Sequence, residues 1–418
     1  MKLALFGGTK IRNKPFPRHP IIGDDEKNAV MSVLESGNLS TFLAQPGENF
    51  LGGKKIREFE NNFASYVGVK YAISFNSATS ALHAAVVASG VKPLEEVIVP
   101  PYTFTSTATS VLMHNAIPVF ADIQEDIFCL DPKSVEKNIS PLTRAIIPVH
   151  LFGHPAEMDE IMQIAEKHNL AVIEDCAQAP GAKYKGKNVG AIGDCGIFSF
   201  QESKNIATGE GGMLVTNDDK IAEIARMVRN HGEVILDTQK QRSYKTEFLG
   251  WGYRMTELEA ALGVEQLKKL DQFNQVRRNL ADYLTKNINS IEGLKHTKKP
   301  YVEHAYYVYA FTVDEAKIGI TRDQFVKALI AEGIPFGQGY VKPLYNSPIY
   351  HEGKPFAYRF YKGSVSYEKG ICPITDRLYE KELVLNAVMR APATQEDAHD
   401  VILAINKILE NKDEFNVN

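Results

Sequence analysis

Two periods alternate along the middle of the chain. Short β-rich runs recur at residues 71–75 (YAISF), 96–100 (EVIVP), 117–123 (IPVFADI), 144–151 (RAIIPVHL), 170–175 (LAVIED), 196–200 (GIFSF) and 213–216 (MLVT). Helical segments lie between them. Residues 77–88 are Ala-rich, and 156–169 place Met158, Ile161, Ile164 and Ala165 on one face. Residues 219–230 open on acidic side chains, as the positive end of a helix dipole favours. Strands alternating with helices predict a mainly parallel sheet covered on both faces.

From Thr256 a long helical pattern begins, with Leu258, Leu262, Leu267 and Leu270 as its apolar positions. It leads out of the first unit. The remainder mixes short strands, such as 306–313 (YYVYAFTV), with helices and reads as α+β. The expected division is a large α/β domain over 1–265, with an N-terminal arm, and a small α+β domain over 266–418. No repeat, low-complexity tract or Pro-rich linker separates them, so the two should pack closely.

Composition narrows the classes. The 418 residues are 44% hydrophobic and 23% charged, close to average globular usage, which excludes a mainly disordered chain. The formal charge of −4 gives no basic excess for nucleic acid or an anionic membrane. Cys129, Cys176, Cys195 and Cys372 are too scattered for a disulfide framework, and no CxxC pair suggests zinc or an iron–sulfur cluster. The opening MKLALFGG is shorter than the apolar core of ~7–15 residues in a signal peptide. No run reaches the ~18 apolar residues of a membrane helix. A soluble, cytoplasmic protein is the expectation.

Four segments could carry chemistry, and each has a bland reading. In 198–212 (FSFQESKNIATGEGG), Lys204 follows a β-run and precedes Gly209, Gly211 and Gly212. Desolvation lowers a lysine's pKa and frees its amine as a nucleophile; most loop lysines are simply solvated. In 171–182 (AVIEDCAQAPGA), Glu174 and Asp175 end an apolar strand, where open α/β sheets gather ligands. A cap or a structural ion pair is the commoner use of such an Asp. In 76–82 (NSATSAL), small residues at a helix start leave backbone N–H groups facing an anion, or form a plain cap. In 101–107 (PYTFTST), Tyr102 or Phe104 could offer a flat face to an aromatic ring, or sit in the core.

Each segment follows a strand, so all four fall on one sheet edge. A nucleophilic Lys, a carboxylate, an anion nest and an aromatic plate together match the needs of pyridoxal phosphate (PLP): its aldehyde needs Lys, its ring nitrogen an acid, its phosphate the helix end. SATSAL lacks the GxxxxGK[ST] pattern, so ATP use is not expected.

At EDCAQAPGA, SFQESKNIATGEGG and GYRMTELEAALG, and from FGGTKIR to the last helices, the chain resembles the PLP-dependent sugar aminotransferases of the DegT/DnrJ/StrS group, which have the aspartate-aminotransferase-like fold (fold type I). The resemblance implies that Lys204 holds the cofactor covalently and that Asp175 pairs with its ring nitrogen. It places Gln178 near the phenolic oxygen and Phe104 on the ring, with Ala78, Thr79 and Ser199 around the phosphate. Gln201 stands where many relatives have His, contacting cofactor or substrate without titrating.

The sequence also departs from the group's pattern. Gly252 replaces the Asn of the usual NYRM, which in relatives reaches the neighbouring subunit's cofactor phosphate. Tyr345 stands where many carry His, and the loop 41–53 (TFLAQPGENFLGG) is longer than the usual LTTG-type loop.

The implied reaction is transamination, from L-glutamate or L-glutamine to a nucleotide-linked ketosugar, in amino-sugar biosynthesis. A keto-cyclitol such as an inosose is the alternative acceptor, since FGGTKIR and SFQxxK resemble that branch. A sugar dehydratase is disfavoured because dehydratases of this fold replace the Lys with His. A non-enzymatic regulator on the same scaffold would not need a complete cofactor set. The resemblance further implies a homodimer with shared active sites, Tyr253 and Arg254 lying near the partner's cofactor. His83, His114, His150 and His154 are scattered and read as structural or substrate-side residues rather than metal ligands.

Overall fold

All but the last of the seven apolar runs named from 71 to 216 become strands whose carboxyl ends share one edge. The computed structural model describes residues 2–42, 47–234, 245–351 and 355–416. Strands β1 (Tyr71–Phe75), β2 (Glu96–Val99), β3 (Ile117–Phe120), β4 (Thr143–Ile146) and β5 (Ala171–Asp175) fall on the predicted runs. A short pair follows, β6 (Lys183–Tyr184) and β7 (Lys187–Asn188), and then β8 (Cys195–Ser199) and β9 (Gly212–Thr216).

The main sheet has the order β1-β9-β8-β5-β4-β2-β3. Strands β3, β2, β4, β5 and β8 are parallel neighbours, whereas β9 runs antiparallel to both β8 and β1. The chain leaves β8 and returns through loop 200–211 with no crossover helix, so β9 must run back beside it. The loop that carries Lys204 is that return.

Helix Ala78–Ala88 is buried from Ser80 onward, because its run of alanines fits closely against the sheet and helix Asp219–Arg229. Helix Met158–His168 buries Met158, Ile161 and Ala165, as its period predicts. The long helix spans Glu257–Ile288 and starts at a capping box of Thr256 and Glu259. It passes residue 265 without interruption. Its first half packs Val264, Leu267 and Leu270 into a core with Phe59 and Phe63, and its second half sends Leu280, Leu284 and Ile288 into the C-terminal core. Leu258 and Leu262 are only half-buried. Ala260 and Ala261 take the inner face instead, and Gly263 meets Phe59: a Cβ there would stand 2.6 Å from the ring.

The C-terminal sheet is antiparallel, in the order β10 (Leu294–Lys295), β12 (Tyr309–Val313), β14 (Leu383–Asn386), β13 (Gly337–Gln338). Strand β11 (Val302–Glu303) pairs with β6 and ties the two parts together. Helices Arg322–Ala331 and Gln395–Glu410 cover this sheet. The N-terminal arm packs here: Leu3 is buried in the C-terminal core, and Arg12 pairs with Asp397 (2.8 Å) and Asp400 (2.7 Å). All four cysteines are free and buried. Among the described residues no helix is long and apolar enough to cross a membrane.

Candidate active site

Asp175 is the last residue of β5 and is 4% exposed. Its Oδ2 accepts from Thr107 Oγ1 at 2.8 Å and its Oδ1 from the Ala177 N–H at 3.1 Å. Burial pushes its pKa up, against the opposing pull of those two hydrogen bonds and the nearby Lys204 and His150. Its neighbour Glu174 is committed elsewhere. Glu174 accepts from the N–H groups of Gly190 (2.8 Å), Ile192 (2.7 Å) and Gly193 (2.7 Å) and pairs with His150 Nε2 at 3.0 Å. His150 Nδ1 accepts from the Ala156 N–H at 3.0 Å, so Nε2 carries the proton that it donates to Glu174. Of the two carboxylates that end the strand, Glu174 anchors the fold and Asp175 faces the edge.

Lys204 lies in the return loop after β8. Its N–H donates to the Gln201 carbonyl at 2.8 Å, closing a tight turn, and its own carbonyl accepts from His19 Nε2 at 2.8 Å. The Nζ lies 4.3 Å from the centroid of the Tyr307 ring. Gln201 Oε1 accepts from the Ser203 N–H (2.9 Å) and Oγ (2.6 Å), and Ser203 Oγ lies 2.9 Å from Tyr307 Oη. The Gln201 carboxamide oxygen is thus spent on holding the turn that presents Lys204.

The helix start at residue 78 closes the other side. Ser77 caps it, accepting from the Ser80 N–H at 3.1 Å. The N–H groups of Ala78 and Thr79 have no acceptor among the described residues. Gly212, paired with both Phe75 and Ser199, touches this start: a Cβ on it would stand 2.4 Å from the Ser77 carbonyl and 2.6 Å from Ala78 N. Ser199 is 5% exposed at the end of β8, where it pairs with Gly212. Of the glycines read from the sequence, Gly212 provides close approach, while Gly209 (φ +90°) turns the loop.

Gln178 is 3% exposed and held at both ends of its carboxamide: Oε1 accepts from the Phe152 N–H and Nε2 donates to Tyr340 Oη, each at 2.8 Å. One N–H of Nε2 remains for a ligand. Of the two aromatic candidates, Tyr102 is wholly buried and Phe104 is 56% exposed, so Phe104 is the ring left open. Tyr253 stacks on Trp251 and its Oη lies 3.2 Å from His83 Nδ1, while Arg254 donates to Asn230 Oδ1 at 3.2 Å. Tyr345 is core, its hydroxyl donating to Asp376 Oδ1 at 2.6 Å. Of the long loop at 41–53, residues 43–46 lie outside the described residues.

Sequence reasoning missed Thr107, Tyr307, Tyr340 and His19, each bonded or stacked against one of the predicted residues. Thr107 lies within the PYTFTST segment and could have been weighed there. The others come from distant parts of the chain, with no spacing that links them to Lys204 or Gln178.

A family model for the DegT/DnrJ/EryC1/StrS aminotransferases matches residues 22–406. The chain belongs to this family. DegT/DnrJ/EryC1/StrS aminotransferases are PLP-dependent transaminases of fold type I, and so is this chain. It is 41% identical over 319 residues to the GDP-perosamine synthase of Caulobacter vibrioides, covering 75% of this chain and 81% of that one. It is 33% identical to the L-glutamine:2-deoxy-scyllo-inosose aminotransferase of Streptoalloteichus tenebrarius, over 99% of both chains. The solved aminotransferase of Psychrobacter cryohalolentis superposes with a TM-score of 0.85 at 30% identity, over 95% of this chain and 99% of that one.

Proposed function

We propose that this aminotransferase moves an amino group from L-glutamine or L-glutamate to the keto carbon of a nucleotide-linked ketosugar. The carrying observation is the shared edge: the Lys204 amine on Tyr307, the buried Asp175 carboxylate and the open helix start at Ala78 and Thr79. These residues fit PLP. Asp175 is a buried carboxylate that accepts hydrogen bonds from Thr107 and the Ala177 N–H, which suits a protonated ring nitrogen. The close contact of Gly212 with Ser77 and Ala78 makes a cradle whose free N–H groups suit a phosphate. Gln178 offers its spare N–H to the phenolic oxygen, and Phe104 its exposed face to the ring.

When bound, PLP supplies an electron sink for the charge left on the carbon that loses its proton. The protein supplies the rest. Asp175 holds a proton on the ring nitrogen side. Lys204 Nζ is the general base that removes the donor's α-proton and the general acid that returns a proton to complete the transfer. The turn held by Gln201 and Ser203 keeps Nζ over Tyr307 between these two acts. The same residues run the steps in reverse on the acceptor.

The identity to a GDP-sugar synthase supports the nucleotide-linked acceptor. A keto-cyclitol is the second reading, favoured by end-to-end coverage of an inosose aminotransferase. We take the working unit to be a homodimer with shared sites. Met31 and Leu34, a helical turn apart, and Leu39 are exposed and would be covered in it. Product analysis after incubation with L-glutamine and panels of nucleotide-ketosugars and inososes tests the acceptor. Amination of a nucleotide-ketosugar is the expected result, and amination of inososes alone selects the second reading.

A further inference from the structure

The main chain around Lys204 is held at three points, and one of them comes from the N-terminal arm. The Lys204 N–H donates to the Gln201 carbonyl, and the Ser203 carbonyl accepts from Arg390 Nη1 at 3.3 Å. The Lys204 carbonyl accepts from His19 Nε2 at 2.8 Å and, among the described residues, from no other group. Because Nε2 faces a carbonyl, it carries the ring proton, and Nδ1 is left with its lone pair. Burial and the charges of Arg390 and Arg277 lower the ring's pKa to about 4, against the pull of the Lys204 carbonyl. The ring is therefore neutral in neutral solution, and it fixes the carbonyl without adding a cation beside the Lys204 amine.

The arm that carries His19 is anchored on both sides of it. Before His19, the N–H groups of Ala4 and Ile11 donate to the two oxygens of buried Glu332, at 2.8 and 3.0 Å, and Lys407 pairs with the same carboxylate at 2.8 Å. A buried carboxylate is tolerable only with such partners, so this anchor resists release. Arg12 adds its pairs with Asp397 and Asp400, and its guanidinium lies 3.9 Å from the centroid of the Phe16 ring. After His19, the Ile21 carbonyl accepts from Gln266 Nε2 at 3.0 Å. Gln266 Oε1 in turn accepts from the Ala207 N–H at 3.4 Å, on the far side of Lys204. His19 is thus a fixed strut between the C-terminal core, the long helix and the loop of the lysine.

We propose that His19 is a positioning residue for Lys204: through the Lys204 carbonyl, the N-terminal arm sets where the amine stands between its two proton transfers. This rests on the aminotransferase reading, in which Nζ takes a proton at one atom and returns one at another. Misplacing such a group by about 1 Å costs up to roughly 100-fold in rate.

His19→Ala, His19→Asn and His19→Gln provide the test. A Gln carboxamide carries its nitrogen as many bonds from Cα as His Nε2, whereas that of Asn falls one bond short. With saturating L-glutamine or L-glutamate, the PLP band of the Ala and Asn variants should bleach roughly 10-fold more slowly than that of the parent. The donor's KM should stay within about twofold, and His19→Gln should recover the rate to within about threefold. Cofactor-free protein gives a reading without turnover. Amide hydrogen exchange in peptides spanning 200–208 should quicken at least about threefold in the Ala and Asn variants and return toward the parent in Gln. The Asn and Gln pair decides if His19→Ala does not fold. Unchanged bleaching and exchange in His19→Asn would overturn the proposal. Equal slowing in Asn and Gln would overturn it too, assigning His19 to the packing of the arm, as would a loss confined to KM. If Lys204→Ala retained turnover, the aminotransferase reading would fail while the exchange result stood on its own.

Discussion

Lys204 Nζ sits over the ring of Tyr307, 4.3 Å from its centroid, although the two residues belong to different parts of the fold. Lys204 comes from the return loop of the main sheet, and Tyr307 from the segment just ahead of β12 in the C-terminal sheet. The contact places the Lys204 amine at the junction of the two. An aromatic face contributes about 0.5–2 kcal/mol to a nearby cation. Tyr307→Leu should therefore lower kcat by roughly 2- to 30-fold, while Tyr307→Phe, which keeps the ring, should stay near the parent. Equal losses in both variants would show that the hydroxyl on Ser203, and not the ring, does the positioning.

The start of the helix at Ala78 admits no side chain on Gly212. A Cβ there would overlap the Ser77 carbonyl and Ala78 N, both backbone atoms that move only with the helix. Gly212→Ala should weaken PLP retention at least tenfold, by disturbing the Ala78 and Thr79 N–H groups proposed to hold the phosphate. Gly209→Ala has open space but a left-handed backbone, and should cost about 1 kcal/mol of stability with normal PLP affinity. Dialysis against buffer followed by cofactor titration distinguishes them. Equal PLP affinity in both variants would argue against the nest.

Glu174 is expected to matter for folding rather than for chemistry. Its two oxygens take three backbone N–H groups and the His150 proton. Glu174→Gln replaces one acceptor with an N–H₂ group and leaves buried donors facing donors. Urea unfolding should show a loss of about 2–4 kcal/mol. A variant as stable as the parent would contradict the assignment.

Acid should destabilise the protein early. Burial lowers His19, His83, His154 and His296 from 6.5 to about 4. Between those values the unfolded chain binds protons that the folded chain refuses. Their contribution to stability is complete above pH ~6.5 and is lost as pH falls toward ~4, by up to about 1.4 kcal/mol per pH unit for each histidine. Melting temperature should fall between pH 7 and 5. A flat profile over that range would mean that these rings are protonated within the fold.

Much of this arrangement was legible in the sequence. The runs ending at Phe75 and Asp175 became β1 and β5 with those ends, and Ser77, Asp218 and Thr256 are N-caps where the pattern broke. Local chemistry determines these features: cap residues, apolar runs and small residues act within a few positions. The antiparallel turn of β9 was less visible, because it depends on the absence of a helix in loop 200–211 rather than on the strand itself. The packing of Leu3 and Arg12 on the C-terminal core was also hidden, since their partners lie near the other end of the chain. The same holds for Tyr307, Tyr340 and Arg390, which acquire their neighbours only when the two sheets come together.

The proposed transaminating pair of Lys204 and Asp175 is read out by the visible absorption of the PLP-loaded protein before and after L-glutamine or L-glutamate, with no acceptor present. The expected result is a cofactor band that bleaches with one of these donors, returns on adding the matching keto acid, and is absent from Lys204→Ala after dialysis. A parent protein that takes up no PLP, or a Lys204→Ala variant that keeps the same band and response, would contradict it.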